Sequence, residues 1–91
     1  MTVYWTNEAL EEVAEIRDYL LENAPNYAEQ IIGSFFDQAE QLGNFPKMGR
    51  PYRKGELPQI RELLVGAYRI TYYVGLNQLD IMTVRHQAQN R

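Results

Sequence analysis

Residues 60–84 read IRELLVGAYRITYYVGLNQLDIMTV, and this stretch decides the fold. Three runs rich in β-branched and aromatic residues, Ile60–Val65, Tyr68–Val74 and Leu79–Val84, are separated by Gly66-Ala67 and by Gly75-Leu76-Asn77-Gln78. Both separators are hairpin-sized, so the runs predict three consecutive antiparallel strands. Alternation along the middle run puts Tyr68, Ile70, Tyr72 and Val74 on one face and Arg69, Thr71 and Tyr73 on the other. The first set is the natural core face.

Upstream the apolar period changes. Ala9, Leu10, Val13, Ile16, Tyr19 and Leu20 recur at spacings of three and four, the mark of an amphipathic helix. Thr6 is a suitable N-cap and Pro25 a stop, which predicts a helix over roughly 7–22. A second helix over roughly 26–43 follows from Ala28, Ile31, Ile32, Phe35, Phe36, Ala39 and Leu42. Asn26-x-x-Glu29 is expected to act as its capping box and Gly43 as its left-handed C-terminal residue. So short a link makes the two helices antiparallel. Leu10, Val13, Ile16, Ile32, Phe35 and Phe36 are expected to be buried. Val3-Tyr4-Trp5 reads as a first strand, and residues 44–58, with three prolines and two glycines, as a loop carrying basic residues. The order is β-α-α-β-β-β: an α+β fold in which a helical hairpin packs on a small antiparallel sheet. Its 91 residues suffice for one core, so residues 1–91 form one domain, with 87–91 expected to be a flexible tail.

Composition narrows the function. No cysteine and one histidine, His86, exclude disulfides and thiolate chemistry and make a metal site implausible; no cofactor motif is present. The only serine, Ser34, falls in the middle of the second helix, which disfavours a hydrolase triad. No export signal and no apolar run of membrane length are found, so a cytoplasmic protein with no membrane partner is expected. The net charge of −3 hides an asymmetry: residues 1–45 hold nine acids and one base, residues 46–91 three acids and eight bases. An anionic partner would be drawn to the C-terminal half.

The arginines on or beside the strands are the candidate functional groups. Arg69, Thr71 and Tyr73 would form an exposed surface suited to phosphate contact and base stacking. The plainer reading is that Arg61 and Arg69 pair with Glu62 or other acids and hold the sheet. His86, beside Arg85, is the only side chain whose ordinary pKa allows proton transfer near neutrality; it is either a solvated, hydrogen-bonded strand-end residue or an acid–base group. Gly49 is expected to make a turn and Arg50 to reach an acid on the helices.

Several pieces in order resemble one family: Val3-x-Trp5-Thr6-x-x-Ala9, Phe45-Pro46-x-x-Gly49-Arg50, Arg61-Glu62-Leu63, Tyr68-Arg69-Ile70-x-Tyr72 and Ile81-x-x-Val84-x-His86. Together they are similar to the RelE/ParE superfamily of bacterial toxins from type II toxin–antitoxin pairs. The resemblance implies a cognate antitoxin as partner and one of two activities. The ParE-like branch poisons DNA gyrase and has no catalytic residues. The RelE-like branch cleaves messenger RNA on the ribosome, and here would draw on Arg61, Arg69 and His86. The acidic net charge, the long acidic helical hairpin and the Gly49-Arg50 loop favour the ParE-like branch, hence a toxin that is not an enzyme. A toxin-derived module that only binds is the third alternative. On the favoured reading, Arg61, Arg69, Tyr73, Arg85, His86 and Arg91 form the target- or antitoxin-binding set.

Overall fold

The computed structural model describes residues 1–88. Strand β1 (Thr2–Trp5) leads into helices α1 (Asn7–Asn23) and α2 (Ala28–Asn44). A two-residue strand, β2 (Arg50–Pro51), and a turn over Tyr52–Gly55 follow, then β3 (Ile60–Val65), β4 (Tyr68–Val74) and β5 (Gln78–His86). The five strands make one sheet in the order β1-β5-β4-β3-β2. The α+β expectation holds, with one refinement. β2 to β5 are antiparallel, whereas β1 lies parallel to β5, with Thr2 opposite Gln78 and Trp5 opposite Ile81. Parallel pairing needs a long connection, and the helical hairpin with the rest of the sheet supplies it.

The core lies between the helices and one face of the sheet. Ala9, Val13 and Leu20 of α1 are buried, as are Ala28, Phe35, Ala39 and Leu42 of α2. They meet Tyr68, Ile70 and Tyr72 of β4 and Leu79, Ile81 and Val84 of β5. The alternation read along β4 is therefore the observed one. Two burial expectations fail. Leu10 is 42% exposed and Phe36 41%, because each sits about 100° around its helix from the buried stripe. Phe36 instead covers Trp5 of β1, ring centroids 4.7 Å apart. Ile16 and Ile32 are only partly buried, at the margin of the core.

The helix ends also differ from expectation. Thr6 caps α1 as predicted, its Oγ1 accepting from Ala9 N at 3.1 Å. At α2 the capping box does not form. Residues 25–27 are taken up by turns in which Tyr27 N donates to Ala24 O and Ala28 N to Pro25 O, so the helix starts two residues later behind Tyr27. Gly43 is inside α2, not beyond it. A Cβ there would lie 2.8 Å from Met1 O, so glycine serves the close approach of β1 to the helix.

The β4–β5 ladder contains a bulge. Thr71 pairs with Thr83 but Tyr72 with Ile81, leaving Met82 unmatched in β5. Among the described residues no helix is long and apolar enough to cross a membrane.

Phe35 has no exposed surface and touches Tyr68 edge-on at 5.2 Å. Phe35→Ala should therefore cost about 3–5 kcal/mol in urea unfolding, through lost transfer energy and a residual cavity. Phe36→Ala, on the half-exposed side, should cost about 1 kcal/mol. Equal losses for the two would show that the stripe is misassigned.

Candidate functional site

The sheet face away from the helices carries a group of cations. Arg69 of β4 and Arg85 of β5 are directly opposite one another in the ladder. Like charges so placed repel unless neutralised. Two glutamates do this from opposite sides. Glu62 of β3 comes within 4.0 Å of Arg69 and accepts from Arg50 Nε at 2.8 Å. Glu12 reaches over from α1 and accepts from Arg85 Nε at 2.8 Å. Its other oxygen accepts from the Val84 backbone N–H at 3.0 Å. The bond to Glu12 raises the Arg85 pKa above the ordinary guanidinium value, against the lowering effect of burial.

Over this floor hangs the segment after β2. Tyr52, Arg53 and Leu57 roof a cleft of about 330 Å³ whose floor includes Arg69, Thr71, Thr83 and Arg85. Arg53 (φ 47°, ψ 48°) and Lys54 (φ 58°, ψ 28°) are both left-handed, and Gly55 follows at φ 86°. Two consecutive non-glycine residues in this region cost free energy that the surroundings must repay. Arg53 lines the cleft, its guanidinium 5.3 Å from the Tyr52 ring centroid. Among the residues lining this cleft there is no histidine and no carboxylate.

The segment is anchored from below by Tyr72. Its hydroxyl donates to Pro46 O at 2.7 Å and accepts from Gly49 N at 2.9 Å. Arg61 Nη1 completes the anchor by donating to Gly49 O at 2.7 Å. A Cβ on Gly49 would lie 2.6 Å from the Tyr72 hydroxyl and 2.7 Å from Glu62 O. Glycine is thus required here for close approach as much as for turning.

The sequence-predicted residues do not gather at one place. Arg69 and Arg85 meet on the open face. Tyr73 shares that face and is 39% exposed. Arg61 stands opposite Tyr72, so its side chain leaves β3 on the helix side and binds a backbone carbonyl rather than an acid. His86 stands opposite Tyr68, also on the helix side, with ring centroids 5.3 Å apart at 80°. Its Nδ1 accepts from Ala88 N at 3.0 Å. Arg50 reaches Glu62 on β3, not an acid on the helices, because β2 pairs with β3 and brings the two side by side. Arg91 and the end of the 87–91 tail lie outside the described residues. Tyr52, Arg53, Met82, Thr83 and Glu12 were not singled out from sequence. Basic residues in a Pro/Gly-rich loop were a signal for Arg53, but nothing local tells which strand face a loop will cover. Among the described residues no group of three or more histidines and carboxylates is placed to hold a metal ion.

The helical hairpin on such a sheet agrees with what sequence comparison establishes: this chain is a type II toxin of the RelE/ParE superfamily. Residues 3–91 match the model of the ParE toxin of the type II toxin–antitoxin system parDE, and the chain belongs to that family. It is 33% identical over 88 residues to Toxin RelE2 of Caulobacter vibrioides, covering 96% of each chain. It is 31% identical over 87 residues to Toxin RelE3 of the same organism, covering 91% of this chain and 90% of that one. Among solved structures it resembles a chain of the chromosomal ParDE toxin–antitoxin system from P. aeruginosa, with TM-score 0.79, 21% identity, and 94% and 95% of the two chains covered. It also resembles a chain of the RelBE2 toxin–antitoxin complex from Mycobacterium tuberculosis, with TM-score 0.71, 23% identity and coverage of 94% and 96%. These two likenesses are of fold.

The Tyr72 anchor is testable by pH. Burial raises its phenol pKa above the ordinary value of about 10, against the lowering effects of the Gly49 N–H and Arg61. A raised pKa means the fold favours the protonated phenol. That stabilisation is whole below about pH 10 and is lost as pH climbs through the folded-state value. Tyr72→Phe should cost about 1–3 kcal/mol at neutral pH by orphaning the buried Gly49 N–H. It should also flatten the alkaline loss of stability, leaving the share of Tyr68, whose phenol is likewise raised by burial. An unchanged alkaline limb in urea melts at high pH would remove Tyr72 from this role.

Proposed function

We propose that this toxin acts by gripping DNA gyrase, with no reaction of its own, and that a cognate antitoxin silences it by covering its binding surfaces. The reading extends to the cytoplasm as the place of action. The observation that supports it is the dispersal of the groups RNA cleavage would require. Cleavage through a 2′-hydroxyl needs a proton acceptor, a proton donor and a cation around one phosphate. Arg61 and His86 leave the sheet on the helix side, while Arg69 leaves on the open side. Alternation along the strands turns Arg69 away from Arg61 and His86, so the three are not grouped around one point. Arg61 is moreover committed to Gly49 O. The net charge of −3 also steers poorly toward ribosomal RNA.

One observation favours the second reading, a ribosome-dependent endoribonuclease. Arg53, Arg69 and Arg85 surround the open-face cleft and are a fit cradle for a phosphate. The carboxylates beside them, Glu62 and Glu12, are engaged by the same guanidiniums, and the described residues lining the cleft include no other acid and no histidine, so the cradle supplies charge without a free proton acceptor.

Induction of this chain alone separates the readings. The gyrase reading expects DNA breaks linked to gyrase, loss of supercoiling when the purified toxin is added to purified gyrase, and intact messenger RNA. His86→Gln should leave toxicity within about twofold, since no proton transfer is involved. Ribosome-dependent cleavage of messenger RNA that falls about 10²-fold or more in His86→Gln, the scale of a lost acid–base group, would sink the proposal. Neither effect, with antitoxin still bound, would mean a module that only binds.

A further inference from the structure

A second groove, of about 510 Å³, runs between α1 and the ends of β4 and β5. Its chemistry is the reverse of the open-face cleft. Tyr68 forms its base, and His86 stands edge-on to that ring at 5.3 Å. Tyr19, 62% exposed, forms the opposing wall. Glu12, Glu15 and Tyr19 are spaced three and four apart, so all three line the groove from one helix face. Glu12 is already engaged by Arg85 and the Val84 N–H. Glu15 is exposed and makes no ion pair with any described residue. Among the described residues the charge left over at the groove is therefore negative, and the walls beside it are aromatic.

Few side chains suit such a place. An anion would face the α1 carboxylates, and Glu8, Glu11 and Asp18 on the same helix deepen that negative field. A purely apolar chain would take water from Glu15 and return nothing. A cation on an apolar stem satisfies both demands, lying against the tyrosine rings while its head pairs with Glu15. A guanidinium fits best, since it stacks on rings and forks onto a carboxylate. We propose that this groove receives an arginine or lysine side chain from the antitoxin segment. The occupant rests on the antitoxin reading above; the recognition of a basic side chain rests on the groove alone. The antitoxin segment would then carry acids for the open face and a base for this groove.

The two parts are tested separately. For the groove, arginine amide is titrated into the purified protein, with norleucine amide as the uncharged control, following the ring signals of Tyr19, Tyr68 and His86 by NMR. Saturable shifts on the order of millimolar are expected with arginine amide only, as befits one stacked and paired side chain. They should vanish in Glu15→Gln and persist in Glu11→Gln. Absence of saturation, or equal response to norleucine amide, overturns the basic-side-chain site. For the occupant, the antitoxin encoded beside this gene is titrated calorimetrically. Glu15→Arg should weaken binding about 10-fold or more, and Glu29→Arg, on α2 and outside the groove, should not. Unchanged affinity in Glu15→Arg overturns the antitoxin as occupant while its pairing with the toxin stands. No binding to the wild-type protein, with the arginine amide response intact, overturns both the pairing and this occupant but leaves the groove's specificity in place.

Discussion

The Tyr72 hydroxyl, held between Pro46 O and the Gly49 N–H, ties the irregular segment that follows α2 to the well-buried strand β4. The tie is worth more than its two bonds. A loop of mixed prolines, glycines and cations has little apolar surface with which to hold itself down, and its backbone groups need partners wherever water is excluded. Because Tyr72 is fully buried and centrally placed in the sheet, its hydroxyl is a fixed point. Arg61 extends it by binding Gly49 O, and β2 then aligns with β3 in a single register. The strained turn at Arg53 and Lys54 can persist only on so firm a base. Had residue 49 carried a side chain, the approach to Tyr72 would be blocked and the cationic roof set loose.

Glutamates then decide where the cations point. Arg69 and Arg85, facing each other across the ladder, would push apart if left alone. Glu62 and Glu12 approach from β3 and from α1 and hold them in place. Glu12 does so as a bridge, since its second oxygen also occupies a backbone N–H on the stretch of β5 that extends beyond β1. One carboxylate thus blunts an exposed strand edge, docks α1 onto the sheet and orients a guanidinium. These pairs are partly exposed, so their value is chiefly geometric; salt weakens them more than it weakens the core.

The strands of residues 60–84 and the inner face of β4 were legible because alternation and turn chemistry agree there. The helices were legible as stripes, but the stripe was drawn too wide. Leu10 and Phe36 satisfy a spacing of three and four equally well, and only the position of Trp5, distant in sequence, decides that Phe36 covers a strand instead of entering the core. The α2 start was misread because Asn26 has the right type for a cap while the backbone turns at 24–28 leave it no such role. The candidate arginines were found by type, and only Arg69 could be given a face. Arg69 follows from β4 alternation, but the side taken by Arg61 depends on which residue of β4 it opposes, and register is not written locally. The cleft itself was out of reach, since it is made when a loop folds back over strands that follow it in the chain.

The charge asymmetry of the sequence becomes an asymmetry of surfaces, although not the simple one of two halves. The acids of residues 1–45 are mostly on α1 and α2, yet Glu12 crosses to the cationic side. His86, from the basic half, stands at the acidic groove beside Tyr68. A partner matched only to net charge would therefore fit one surface and be repelled by the other. A chain that engages both must alternate its own charges over the distance separating the two sites, and Arg85, which lines both, is the hinge between them. Such alternation is demanding: each surface rejects the charge that the other accepts, so a segment with the wrong order loses at both. Specificity between this toxin and its partner is thus expected to lie in the order of acidic and basic side chains along the segment more than in the total area buried.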